Sequence, residues 1–118
     1  AYLMIAAMQY QDNKYADYYN VGPDDQDCFQ TGVLVDLFVN KWGEGIKWIN
    51  RYDGGPHEAN FLKLDCSKLK SVFGWRPHWN LDTALEMVVD WSKCWIEGGD
   101  IRSCMDSEIE AFLYSKER

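Results

Sequence analysis

The stretch from residue 54 to 77 limits the fold more than any other part of the chain, because it is punctuated at both ends. Gly54-Gly55-Pro56 has the chemistry of a loop. Asn60–Leu64 then alternates weakly, with Phe61, Leu62 and Leu64 around Lys63, and predicts a short strand. Asp65 or Ser67 can accept backbone N–H groups at the start of a helix over 68–73. Gly74 stops that helix and Pro77 forbids its resumption. A chain with such closely spaced breaks builds a small domain of short elements, not a long bundle.

The flanking segments read the same way. Tyr2, Leu3, Ile5, Ala6 and Met8 to Tyr10 fit a helix buried on most sides, ended by Gln11-Asp12-Asn13-Lys14. Tyr18–Val21 is an aromatic and β-branched run closed by Gly22-Pro23, which predicts a strand. Asp24-Asp25-Gln26-Asp27 reads as a solvated acidic loop. Thr31 fits the N-cap of a helix over 32–42 with Val33, Leu34, Leu37 and Phe38 on its apolar face, and Gly43 ends it. Gly45–Asn50 predicts a further strand. Asn80 or Asp82 starts a long helix whose face carries Leu85, Val88, Val89, Trp91 and Trp95, closed by Gly98-Gly99. A last helix is expected from about Asp106 to Ser115, with Ile109, Phe112 and Leu113 inward. The expectation is an α+β fold: one small, mostly helical domain over 1–118 with a few short strands. Ala1 opens directly into an apolar helix, which suggests a piece of a longer polypeptide.

Composition narrows the functions. A length of 118 residues fits one domain, and a 47% apolar fraction suits a packed one. The net charge of −7 repels phosphate backbones, so nucleic acid is a poor partner. A local basic cluster of Lys63, Lys68, Lys70 and Arg76 still suits one small phosphorylated ligand. No apolar run approaches the roughly 20 residues of a membrane span. Cys28, Cys66, Cys94 and Cys104 are widely spaced, and His57 and His78 are isolated, so no metal site is expected. Reduced thiols in a cytoplasm are the simpler expectation. No Gly-x-Gly-x-x-Gly or Gly-x-x-x-x-Gly-Lys occurs. Tyr10 and Lys14 do fit Tyr-x-x-x-Lys, but a two-residue pattern at a polar helix end is read as coincidence.

Several ordered strings carry a resemblance. They are Tyr19-Asn20-Val21-Gly22, Thr31-Gly32 with Leu34-Val35-Asp36-Leu37, Pro56-His57-Glu58-Ala59, Leu64-Asp65-Cys66-Ser67-Lys68 and Phe73-Gly74-Trp75-Arg76-Pro77. Together the chain resembles the C-terminal, substrate-binding part of extended short-chain dehydrogenase/reductase enzymes, the NAD-dependent epimerase/dehydratase family that acts on nucleotide sugars. The resemblance implies a lyase acting on a CDP-sugar. It also implies NAD held by an N-terminal Rossmann domain outside these residues, and no catalytic residue within them, so that this part is inactive alone. Asp65, Gly74, Trp75 and Pro77 would shape the lobe. His57 would donate to a phosphate oxygen and Glu58 would accept from ribose hydroxyls, with Asn60 and Lys63 as further substrate contacts. Gly55 stands where the family often has an Arg, which weakens phosphate clamping by this loop. The competing expectation is a free-standing binding or oligomerisation module of the same descent. Either way, an apolar face shaped for a missing domain favours self-association.

Overall fold

The computed structural model describes residues 2–51 and 63–115. Five α-helices follow one another: α1 (Tyr2–Tyr10), α2 (Thr31–Trp42), α3 (Ser67–Phe73), α4 (Leu81–Ile96) and α5 (Ile101–Tyr114). Two 3-10 turns, Asn13–Tyr15 and Asp25–Asp27, punctuate the first connection. α4 is the hub, packing on both α2 and α5.

Local chemistry explains where each helix starts and stops. Asn80 caps α4, its side-chain oxygen accepting the Thr83 N–H at 2.8 Å. Leu85 and Val89, four residues apart on one face, are buried. α5 begins at Ile101, earlier than the sequence suggests, because Asp100 accepts the N–H groups of both Arg102 and Ser103 at 3.1 Å. α3 ends at Gly74, whose φ of 64° lies in the left-handed region that only glycine enters freely.

The expected α+β class is wrong. Among the described residues there is no strand, and helices take up 62% of them. A strand is a statement about pairing, and an isolated extended run has no ladder to join. Tyr18–Val21 and Gly45–Asn50 have the aromatic and β-branched residues of strands, but side chains tie them down instead. The Asn20 amide donates to the Asp65 carbonyl at 3.1 Å, and the Trp48 indole N–H donates to Asp36 on α2 at 2.7 Å. Of the strand expected at Asn60–Leu64, only Lys63 and Leu64 are described, and both lie outside any regular element.

α1 also departs from expectation. Among the residues of α1 whose burial is described, only Ala6 is buried, while Met4, Ile5, Met8 and Tyr10 are exposed. Among the described residues two apolar faces are exposed: one on α1 and one along α4 and α5.

Candidate functional site

The site is built where the acidic turn after Pro23 meets the start of α3. Pro23, Asp25, Lys63, Leu64, Asp65, Cys66, Ser67 and Lys70 line a cleft of about 340 Å³. A second cleft of about 460 Å³ adjoins it, walled by Asp24, Gln26, Arg76 and Pro77 and sharing Asp25 and Lys70. Both volumes fall in the range of small-molecule sites. Cys66, nearly fully buried, belongs to the lining of the first cleft, and Leu69 of α3 is fully buried. Gly22 brings its backbone close to Cys66: a Cβ there would lie 3.4 Å from the sulfur.

Charge organises the walls. The Lys63 ammonium pairs with Asp25 at 2.9 Å, and Lys70 pairs with Asp24. Asp27 reaches the other way, accepting the Leu81 N–H at the start of α4 at 3.1 Å. The acidic turn is thus clamped to α3 by Lys70, to the segment before α3 by Lys63, and to α4 by a backbone donor. On the far side of α3, Lys68 pairs with Asp17 at 2.6 Å and lies 5.4 Å from the centre of the Tyr19 ring.

Titration follows from these partners. The Ser67 hydroxyl, and then its backbone N–H, hold Asp65 below the ordinary carboxylate value of 3.8. Asp24 holds Lys70 above the ordinary 10.5. A depressed carboxylate stabilises the fold above its unfolded pKa, and that contribution is lost as pH falls through the folded value. A raised ammonium stabilises below its unfolded pKa and loses its contribution as pH rises through the folded value. Chemical-denaturation midpoints should therefore stay level between about pH 5 and 9 and fall on both sides. Because these groups are solvent-exposed the slopes should be shallow, and a midpoint that climbs below pH 4 contradicts this wiring.

The sequence-predicted residues fare unequally. His57, Glu58 and Asn60 lie outside the described residues. Lys63 stands in the cleft wall. Asp65 accepts the Ser67 N–H at 2.9 Å, as expected of a residue that starts α3, although Cys66 occupies the N-cap position itself. Asp24, Asp25 and Asp27 are expected in a solvated acidic loop, and Asp25 is exposed, but the three also form the cleft's clamp; their partners lie 38 to 54 residues onward, beyond any local signal. Lys14 pairs with Asp12 at 3.4 Å and sits over the Tyr15 ring. Among the described residues no cluster of three or more His, Cys, Asp or Glu could hold a metal, and no helix is long and apolar enough to cross a membrane.

No family model matches the chain. It is 36% identical over 118 residues to CDP-glucose 4,6-dehydratase of Salmonella typhimurium strain LT2, a match that takes in 99% of this chain. It covers 33% of the Salmonella protein, so the chain spans about one third of the length of that relative. Along nearly all of its length the chain is therefore related to the C-terminal part of a CDP-glucose 4,6-dehydratase.

Proposed function

We propose that this chain is the nucleotide-sugar-binding part of a 4,6-dehydratase, taking a CDP-hexose and unable to dehydrate it alone. The end-to-end similarity to one third of a CDP-glucose 4,6-dehydratase carries this reading. Three cations in the lining of the double cleft, Lys63, Lys70 and Arg76, set among Asp24, Asp25 and Asp65, support it. A diphosphate arriving there would compete with Asp25 for the Lys63 ammonium and meet Lys70 and Arg76 beyond it. His57 and Glu58 would take phosphate and ribose, with Asn60 beside them.

The residues present do not fit NAD. The sequence has no Gly-x-Gly-x-x-Gly, and among the described residues there is no strand for such a turn to follow. Hydride chemistry would belong to a separate Rossmann domain, with which this lobe would close over the sugar nucleotide. A second reading, a free-standing binding or oligomerisation module, is favoured by the uncovered apolar faces.

Calorimetric titration tests the first reading. CDP-glucose should bind, and UDP-glucose should bind more weakly. Lys63→Ala should weaken CDP-glucose about tenfold, as losing a hydrogen bond to a charged group does. With NAD added, the chain alone should yield no 4-keto-6-deoxy sugar. Equal affinity for both nucleotides, or none at millimolar ligand, would refute the proposal, as would product formation by the chain alone.

A further inference from the structure

We infer that Cys94 and Cys104 form a reversible thiol–disulfide pair, a modification site for small disulfides that staples α4 to α5. Cys94 lies in the last turn of α4 and Cys104 at the end of the first turn of α5, on either side of the connection that carries Gly98 and Gly99. The two helices pack on each other. Cys94 is turned toward the connection: a Cβ built on Gly99 would lie 2.9 Å from its sulfur, and its carbonyl accepts the Gly99 N–H at 2.8 Å. Asp100 fixes the other arm. Its carbonyl accepts the Cys104 N–H at 3.0 Å, and its side chain accepts the N–H groups of Arg102 and Ser103 at 3.1 Å. Between these arms the Cys104 thiol is in hydrogen-bond contact with the Cys94 thiol. The Glu108 carboxylate, one turn further along α5, accepts from Cys104 at 3.7 Å. Both cysteines are free thiols and half-buried.

The other two cysteines are placed differently. Cys28 and Cys66 each sit against a nearby backbone carbonyl, that of Asp24 and that of Leu64, at 3.6 Å. The order of attack follows from the surroundings of Cys104. Burial first, then the Glu108 carboxylate and Cys94, raise its thiol above the ordinary 9.0. A thiol that stays protonated is a poor nucleophile, so Cys94 opens the reaction. Its thiolate attacks one sulfur of oxidised glutathione and expels a glutathione thiolate. Cys104 then attacks the Cys94 sulfur of the mixed disulfide and expels the second. Two cysteine thiols are oxidised to one disulfide, and one glutathione disulfide is reduced to two glutathiones, which take up the two protons. The sulfurs close from hydrogen-bond contact to an S–S bond of about 2.05 Å. The short ring between residues 94 and 104 then takes freedom from the unfolded chain and pins the two helix ends together. Neither cysteine lines the double cleft, so the pair does not depend on what the cleft binds.

Peptide mapping across a redox series tests the pair. The 118-residue chain is equilibrated with mixtures of oxidised and reduced glutathione, quenched with an alkylating agent and digested with trypsin without reductant. Cleavage after Lys93 and Arg102 puts Cys94 and Cys104 on separate peptides, 94–102 and 103–116. Mass spectrometry should find these two peptides joined by a disulfide as the oxidised fraction rises. The thermal midpoint of the linked chain should rise by about 5 °C and return when reductant is added. Cys94→Ser and Cys104→Ser should each abolish the link and the rise, whereas Cys28→Ser should keep both. Thiols at 94 and 104 that stay free at every ratio overturn the inference. So does a stable glutathione adduct on either of them in place of the link, a link through Cys28 or Cys66, or a linked chain whose midpoint does not rise.

Discussion

Leu69→Ala should lower the unfolding free energy by about 3 kcal/mol, the cost of removing a leucine from a site that cannot collapse around the cavity. Leu69 is the largest side chain that is fully buried among the described residues, and it lies in α3, whose Ser67 and Lys70 line the first cleft. The rest of the buried apolar set is Ala6, Cys66, Leu85 and Val89, so the interior has little else to redistribute the loss. α3 is only seven residues long and would not persist as a helix without this anchor. The loss should therefore appear as reduced helicity and as release of the Lys63 and Lys70 pairs that wall the cleft. Urea denaturation followed by circular dichroism measures it. Leu64→Ala, at a 58% exposed neighbour, is the control and should cost less than about 0.5 kcal/mol. Equal losses at the two positions would mean that α3 is not anchored from below.

What the sequence reveals and what it hides have separate physical causes. The helices were legible because their signals are local. Thr31–Trp42, Ser67–Phe73 and Leu81–Ile96 each fall within a residue or so of the expected spans, since apolar spacing and stop residues act within a turn or two. Gly74 takes the left-handed conformation that its place before Trp75 and Pro77 suggests. The strands were misread because β-branched and aromatic runs report a taste for extended backbone, while pairing depends on a partner that composition does not identify. Tyr18–Val21 and Gly45–Asn50 are held by side-chain bonds, among them those of Asn20, Tyr19 and Trp48, in place of a ladder. The cleft was half legible. Lys63 and the Asp65-Cys66-Ser67 start of α3 were visible as a string. The role of Asp24, Asp25 and Asp27 was not, because it exists only once the turn folds against residues far along the chain.

Gly99→Val should cost about 2 kcal/mol, through a clash that the fold cannot easily relieve. A Cβ built on Gly99 would lie 2.9 Å from the Cys94 sulfur and 3.2 Å from the Cys94 carbonyl oxygen. The sulfur ends a side chain that can rotate away. The carbonyl is fixed, because it accepts the Gly99 N–H at 2.8 Å and so closes the end of α4. The neighbouring Gly98 takes a φ of 69°, so the backbone has already spent its left-handed residue one position earlier and has no second one to absorb the shift. The added side chain must therefore push α5 away from α4 and splay the hairpin that carries the bare apolar seam. Cys94→Ala in the same chain separates the two contacts: it removes the sulfur and leaves the carbonyl, so it should restore only part of the loss. Thermal and urea denaturation of the two single variants and the double variant make the comparison. Full recovery in the double variant would place the whole clash on the sulfur and show that the α4–α5 turn is looser than its carbonyl geometry demands.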